Sequence, residues 1–259
     1  MIRVVRALGL VTIQDLGRPG RMHEAVPPGG ALVAERLIAA NRAVHNPDDA
    51  PAIEILGSLS ISAEHALDVA TDTLAARPLA AGELFDVASE PRRVAYLAVR
   101  GGIAAPLILG GRGAMLSAGL GGPVRSGQQL ATARLARVVP RAGTPIADAG
   151  PIRIIPGPDH ASFPGAALEL LIRSTYQILP TSDRIGTRLA GPALPRTAAA
   201  ERSRPMVIGA IEVPADGQPI VLGPEHPTTG GYPVIAVVAS ADLGRLFSIR
   251  PGGTVRLTR

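Results

Sequence analysis

Cysteine and lysine are both missing from this sequence of 259 residues, and all 26 of its basic residues are arginine. Without cysteine, the chain has no disulfide framework and no thiolate metal site. Without lysine, it has no Schiff-base lysine, no P-loop lysine and no lysine to carry a covalently attached cofactor. The missing cysteine also favours a reducing compartment, so we expect the protein to be cytoplasmic.

Aromatic residues make up only 2% of the chain. The core must therefore be aliphatic, and the few rings cannot build a base-stacking platform for nucleic acid. The net charge is +5, but the arginines are scattered among 21 acidic residues without a basic run, so we expect no nucleic-acid partner. No stretch approaches the ~18 consecutive apolar residues of a membrane span. Arg3 and Arg6 interrupt the first apolar run, so we expect neither a membrane segment nor a signal peptide.

Glycine and proline are abundant instead, with 30 and 25 residues. Together with many short runs of β-branched residues, they indicate frequent turns between short strands. We therefore predict a mainly β fold with a few helices. Apolar residues at helical spacing predict helices over residues 31–44 and 164–173, and a further short helix after Ser240, with Ser240 as its N-cap.

The length suits one large domain or two modest ones. A basic strand is predicted over residues 131–139, and residues 140–150, rich in proline, glycine and alanine, are the predicted linker. We therefore predict two domains, at 1–140 and 151–259. Each half contains a strand, a polar turn with Asp and Arg, a glycine pair and an amphipathic helix, which suggests an internal duplication.

The first turn that could carry chemistry runs from Gln14 to Gly20 and holds Asp15 and Arg18 three positions apart. These two side chains can pair with each other or face a ligand together. Spacing alone favours an Asp-capped turn locked by a local ion pair.

Two turns in the second half have the same ambiguity. In the segment Ser182-Asp183-Arg184, the arginine can offer its fork of donors to a carboxylate or phosphate, or can remain solvated. Residues 228–233 contain two glycines and two threonines, a composition that suits an anion or oxyanion but also suits a plain hairpin turn. His226 is the histidine beside this turn, and no histidines have metal-ligand spacing, so we expect no metal site.

Eight segments, taken in order, form a pattern that spans nearly the whole chain. They are residues 12–20, 40–46, 53–54, 96–103, 154–158, 182–191, 209–220 and 228–233. This pattern resembles the biotin-dependent carboxyltransferase-like family. The family includes the C subunit of bacterial 5-oxoprolinase, also called allophanate hydrolase subunit 2, and the KipA-type regulators.

The resemblance implies two tandem cyclophilin-like β-barrel domains. It also implies the C component of a 5-oxoprolinase that works with its A component and a KipI-like B component, hydrolysing 5-oxoproline (pyroglutamate) to glutamate with ATP as co-substrate. The alternatives are a KipA-type regulatory binding protein and the carboxyltransferase component of a urea-carboxylase or allophanate system. In that last case the resemblance implies that biotin is carried on a separate domain, and no such carrier lies in this sequence because it has no lysine.

The resemblance also favours a functional role for the three turns. We expect the turn at 228–233 to face a cleft with the two Asp–Arg turns on its sides. The predicted catalytic residues are Asp15, Arg18, Asp183 and Arg184. The predicted substrate-binding residues are Gln14, Ser182, Thr228, Thr229, Gly230, Gly231 and Tyr232. The chain departs from the family pattern at Val33, at Glu212 (where the family has "IQVP") and at residues 224–227.

Overall fold

A computed structural model of the chain describes residues 1–139, 149–196 and 202–259. The chain divides into two compact units, one of Met1–Arg18 with Gly29–Ile146 and the other of Pro19–Pro28 with Ala147–Arg259. The linker predicted at 140–150 lies almost entirely outside the described residues. No helix in the described ranges is both long and apolar enough to cross a membrane.

The architecture is mainly β with a few helices, as predicted. The helices are α1 (Ala34–Ala43), α2 (Gly165–Arg173) and α3 (Ser240–Ser248). The strands of the first unit are β1 (Ile2–Gln14), β2 (Ala52–Ala63), β3 (Leu67–Thr71), β4 (Arg77–Leu79), β5 (Leu84–Ala88), β6 (Ala95–Val99) and β7 (Gln129–Leu130). Those of the second are β8 (Ile152–Pro156), β9 (Thr175–Ile178), β10 (Gly186–Ala190), β11 (Arg204–Pro205), β12 (Ala210–Glu212), β13 (Ile220–Leu222), β14 (Thr229–Gly230), β15 (Val234–Val238) and β16 (Thr254–Thr258).

The first unit is built on the long antiparallel pair β1 and β2, within a seven-stranded sheet in the order β4-β3-β6-β2-β1-β7. One edge of β2 pairs with β1. The other edge pairs with β6 over the first half of β2 and with β5 over the second half. The sheet buries an aliphatic core, as the scarcity of aromatics predicted. Its fully buried members include Ile2, Val4, Ile53, Ile61 and Leu97.

The change of partner along β2 occurs beside the cross-strand pair Gly9–Gly57. Both glycines have positive φ, +79° and +136°. A Cβ on Gly9 would overlap the carbonyl oxygen of Leu56, and one on Gly57 would overlap that of Leu8. Only glycine can adopt these positive φ values, which differ from those of a regular strand, and also let the two backbones approach this closely.

The second unit is a closed barrel in the order β10-β13-β12-β15-β8-β16-β9, completed by the pairing of β9 with β10. Its strand pairs are antiparallel except for β8 with β16. A separate two-stranded sheet is formed by β11 and β14. Met206, Ala210, Leu222 and Val234 form a buried cluster in this unit.

The three predicted helices are all present, but two local predictions were wrong. Residues 131–139 form no strand, although Thr132 makes an isolated bridge to Ile103. Helix α3 begins at Ser240 itself, with Ala239 at the N-cap and no side-chain cap, so Ser240 does not cap it.

Candidate functional site

The first Asp–Arg turn follows directly after β1, which ends at Gln14. Asp15 is buried, and its Oδ1 accepts a hydrogen bond from the backbone N–H of Gly17 at 2.8 Å. Its Oδ2 accepts from the N–H of Arg112 at 2.5 Å. The Asp15 carboxylate therefore holds its own turn and ties it to the loop around residue 112.

Arg18 is 2% exposed and binds the same loop with its other face. Its Nε donates to the carbonyl of Ile108 at 3.0 Å, and its Nη2 donates to those of Gly111 at 3.4 Å and Gly113 at 2.9 Å. Among the described residues, Arg18 makes no ion pair with Asp15. The local Asp–Arg pair considered from the spacing is thus replaced by two separate anchors of the 108–113 loop.

Two polar atoms of this turn are buried without a hydrogen-bond partner in the described part of the chain, Gln14 Oε1 and Arg18 Nη1. The Gln14 amide nitrogen is used, since it donates to Thr12 Oγ1 and to the carbonyl of Ala114. A Cβ on Gly113 would lie 2.6 Å from Gln14 Oε1, and a Cβ on Gly29 would lie 3.6 Å from Arg18 Nη1. One acceptor and one cationic donor are therefore left without a protein partner among the described residues, beside glycine backbone.

In the second unit, Ser182 and Asp183 shape the turn before β10. Asp183 Oδ1 accepts from the N–H groups of Ile185 at 2.8 Å and Gly186 at 2.9 Å. Ser182 Oγ accepts from the N–H of Arg188 at 3.0 Å. Both side chains thus serve the Asx-type turn that their residue types favour.

Arg184 is buried and forms an ion pair with Glu225, with 2.6 Å between Arg184 Nε and Glu225 Oε1 and each side chain 4% exposed. The backbone reinforces the pair, because the N–H of Glu225 donates to the carbonyl of Arg184. Sequence reasoning missed this partner, although Glu225 stands directly beside the histidine that it did consider. The Arg184 charge is therefore already balanced within the protein.

His226 follows Glu225 and is fully buried. Its Nδ1 lies 2.6 Å from the carbonyl oxygen of Pro227, which identifies Nδ1 as the protonated nitrogen. Its Nε2 is buried without a partner among the described residues. Burial lowers the pKa of His226, because desolvation penalises the imidazolium more than the Pro227 carbonyl favours it.

The glycine turn at 228–233 pairs with β11, with Thr229 opposite Pro205 and Gly230 opposite Arg204. The carbonyl of Thr228 accepts the N–H of Met206, and Tyr232 is 42% exposed. Gly230 does not have a positive φ, so its role is close approach rather than turn geometry. A Cβ there would lie 2.8 Å from Met206 Cε and 2.8 Å from Glu212 Oε1.

Glu212 is a second residue that sequence reasoning did not assign to the site. It lies at the end of β12, is 7% exposed and is in contact with Gly230, and burial raises the pKa of its carboxyl. The signal was present, since Glu212 is one of the positions where the chain departs from the family pattern.

The structure thus groups the predicted residues into three clusters: Gln14, Asp15 and Arg18; Ser182, Asp183 and Arg184; and the 228–232 segment. That they share one cleft stays a prediction. In the described ranges, no group of three or more His, Asp or Glu side chains is placed to hold a metal ion.

The fold and the clusters define a β-rich protein of two units, in which buried polar atoms of Gln14, Arg18 and His226 have no hydrogen-bond partner within the described ranges. The family model for the carboxyltransferase domain, subdomain A and B, matches residues 24–259. The chain belongs to this family, which confirms the resemblance found in the sequence.

Named relatives are similar over the whole chain. The C subunit of 5-oxoprolinase from Escherichia coli (strain K12) is 33% identical over 100% of this chain and 91% of its own length. That of Haemophilus influenzae is 31% identical over 99% of this chain and 90% of its own length. Urea amidolyase of Lachancea kluyveri is 28% identical over 95% of this chain, which matches 16% of that protein.

Solved structures share the fold. TTHA0988 superimposes on all of this chain with a TM-score of 0.87 and 27% identity, and the match covers 55% of that protein. This chain therefore spans about half the length of TTHA0988. The urea amidolyase of K. lactis has a TM-score of 0.87 and 23% identity over 99% of this chain and 18% of its own.

Proposed function

We propose that this chain acts as the C component of a 5-oxoprolinase-type complex, which hydrolyses 5-oxoproline to glutamate with ATP as co-substrate. The A component and a KipI-like B component of the same complex are the proposed partners, and the cytoplasm is the proposed location. The full-length similarity to proteins named as the C subunit of 5-oxoprolinase carries the proposal.

Within this proposal Arg18 is the anion-binding residue. The charge of Arg184 is balanced by Glu225. The described partners of Arg18 are neutral carbonyl groups, so they do not balance its positive charge. Its Nη1 is the donor left for the carboxylate of 5-oxoproline or a phosphate of ATP. Gln14 Oε1 can accept from a substrate N–H.

Asp15 and Asp183 have a positioning role in this proposal. Their carboxylates accept backbone N–H groups and so fix the turns on which Gln14, Arg18 and Arg184 lie. The segment at 228–232 supplies a glycine-lined wall beside Glu212.

The test is glutamate release from 5-oxoproline and ATP by the chain co-expressed with its A and B components. We expect Arg18→Gln to lower kcat/KM by about 10²-fold or more, as for loss of a buried charged donor at a reacting centre. The control is Arg173→Gln, at a side chain that is 79% exposed, which should leave the rate unchanged. No release by an intact complex that binds ATP contradicts the proposed function. An unchanged rate in a correctly folded Arg18→Gln complex contradicts the role of Arg18 alone.

A second candidate function is the carboxyltransferase component of a urea-carboxylase-type system, favoured by the similarity to urea amidolyase. Because residues 1–259 contain no lysine, the biotin carrier must lie outside them. Transfer of labelled carboxylate from a carboxybiotin carrier to urea would support it. A KipA-type regulator is the remaining alternative, and it requires stable binding to a KipI-like partner without glutamate release.

A further inference from the structure

A cavity of about 600 Å³ lies in the second unit, beside β16. Thr254, Arg256 and Thr258 line it from this strand, while Ile172 of α2 and residues 150–151 also line it. Cavities that hold small molecules usually have about 300–1,000 Å³, so this one is large enough for an organic molecule. None of its lining residues is among the predicted catalytic or substrate-binding residues.

The polar part of the lining comes from one face of β16. Thr254, Arg256 and Thr258 alternate with the buried Val255 and Leu257, so their side chains lie on the same face of the strand. Two hydroxyl groups therefore flank one guanidinium group, and all three groups can donate hydrogen bonds to an anion. Arg256 is exposed, so a ligand can reach it from solvent.

The positive charge of Arg256 is not balanced by a described residue. In the described ranges its guanidinium makes no hydrogen bond and no ion pair, and β16 and its neighbours β8 and β9 contain no acidic residue. Helices α2 and α3 pack against β16 and β8, and each contains one acidic residue, Glu169 and Asp242. Both carboxylates are bound to other arginines. Arg256 therefore brings a net positive charge to the cavity.

The wall at residues 150–151 is held in place by a different arginine. Arg245 Nη2 donates to the carbonyl of Pro151 at 2.8 Å, and its Nη1 donates to that of Ala149 at 3.3 Å. The same Nη2 lies 2.9 Å from Oδ1 of Asp242, which is buried. The carbonyl groups of Ala149 and Pro151 are therefore already engaged, and they do not compete with a ligand for Arg256.

The remainder of the lining is mostly apolar. It includes Pro151, Leu257 and Ile172, which is half-buried in the last turn of α2. Apolar ligand surface that leaves water against such side chains contributes favourably to binding. A bare inorganic ion would leave this surface and most of the volume unused. The cavity is therefore suited to an anion that has an apolar body.

We propose that this cavity is a second ligand site, which binds a small organic carboxylate. The carboxylate group binds the guanidinium of Arg256 and the hydroxyls of Thr254 and Thr258. The apolar body packs against Ile172 and Pro151. Among the described residues, Arg256 is the single charged residue of the lining, which matches one negative charge better than the nearly double charge of a phosphate monoester. The site is independent of the proposed function.

The experiment titrates the full chain with hexanoate and follows the backbone amide signals by NMR. Hexanoate should shift the signals of β16 and Gly150 and should saturate them. It should bind at least about tenfold more tightly than acetate, which lacks the apolar body, and than hexan-1-ol, which lacks the charge. Arg256→Gln should weaken hexanoate binding by at least about tenfold, because the charged donor is lost.

The matched control is Arg188→Gln, at another exposed arginine on a barrel strand, β10, and this variant should bind hexanoate as wild type does. The inference is overturned if folded wild type shows no saturable binding, or if Arg256→Gln binds hexanoate equally well. Inorganic phosphate that binds as tightly as hexanoate also overturns it, since the apolar body would then contribute nothing. The comparison of probes on wild type decides the matter even if Arg256→Gln fails to fold.

Discussion

Arg18 and Arg184 are both buried, yet they use their guanidinium groups in opposite ways. Arg184 is neutralised by Glu225, whereas the described partners of Arg18 are backbone carbonyls that leave its charge in place. Both arginines stand in similar turns close to an aspartate, so local sequence does not distinguish them. Their difference lies in residues 108–113 and 225, which are distant along the chain and share no local pattern with the turns.

The Arg184–Glu225 pair makes a prediction at the residue scale. Arg184→Met should lower the free energy of unfolding by about 3–5 kcal/mol, because it removes an arginine partner of a buried carboxylate. The double variant Arg184→Met/Glu225→Leu should recover most of this loss, since it removes both charges. Urea unfolding at neutral pH is the measurement.

The exposed pair Glu169–Arg173 is the reference for this cycle, with side chains 62% and 79% exposed. Breaking it should change stability by only about 0.3–0.5 kcal/mol. A double variant at 184 and 225 that is as unstable as the single one would show that the pair is not the source of the loss.

At the element scale, helices were the best-predicted parts, because their apolar spacing is visible over several turns. Strands were predicted as shorter pieces. Residues 2–6 and 11–13 are one strand, β1, since Gly9 interrupts the sequence pattern without interrupting the pairing. The cross-strand contact with Gly57 explains this continuity, and such a contact is invisible to local propensity.

A comparison of Gly9 with Gly82 separates the steric cost of the close contact at Gly57 from the cost of a positive φ. Their φ values are nearly equal, +79° and +78°, but a Cβ on Gly9 would overlap the Leu56 carbonyl, whereas nothing lies within 4 Å of one on Gly82. Gly82→Ala should cost about 1 kcal/mol from backbone strain alone. Gly9→Ala should cost about 4 kcal/mol or more, because the strands must separate. Equal losses in urea unfolding would contradict the steric argument.

At the scale of the whole molecule, three groups give stability a defined pH dependence. Hydrogen bonds from Arg153 lower the pKa of Asp242 from 3.8 to about 2, so its contribution is present above 3.8 and lost as pH falls through 2. Burial lowers the pKa of His226 below 6.5, so its contribution is lost as pH falls from 6.5 through the lowered value. Glu212 acts oppositely, because its raised pKa means stability is lost as pH rises from 4.5 through the raised value.

We therefore expect His226→Gln to flatten the stability profile just below pH 6.5 and Asp242→Asn to flatten it between 3.8 and 2. Glu212→Gln should become more stable than wild type as pH rises above 4.5. Urea unfolding across this pH range measures all three. A His226→Gln profile parallel to that of wild type would show that His226 titrates normally.

Much of the overall organisation could be predicted, because glycine and proline content, aliphatic runs and collinear motifs extend over the whole chain. The mainly β fold and the family are confirmed on that basis. Glu212 could not be assigned in the same way. Its place in the candidate site depends on contact with Gly230 and on the lack of a hydrogen-bond or ion-pair partner among the described residues, and both are properties of three-dimensional packing.

The closed barrel has a consequence for how other chains can associate with it. None of its seven described strands has an unpaired edge, so no peptide can extend that barrel by strand addition. The sheet of the first unit does end in edge strands, and these are β4, β5 and β7, of three, five and two residues. Pro78 within β4 further lacks the N–H that an incoming strand would need. For the barrel, association through side chains and loops is thus favoured over a shared sheet.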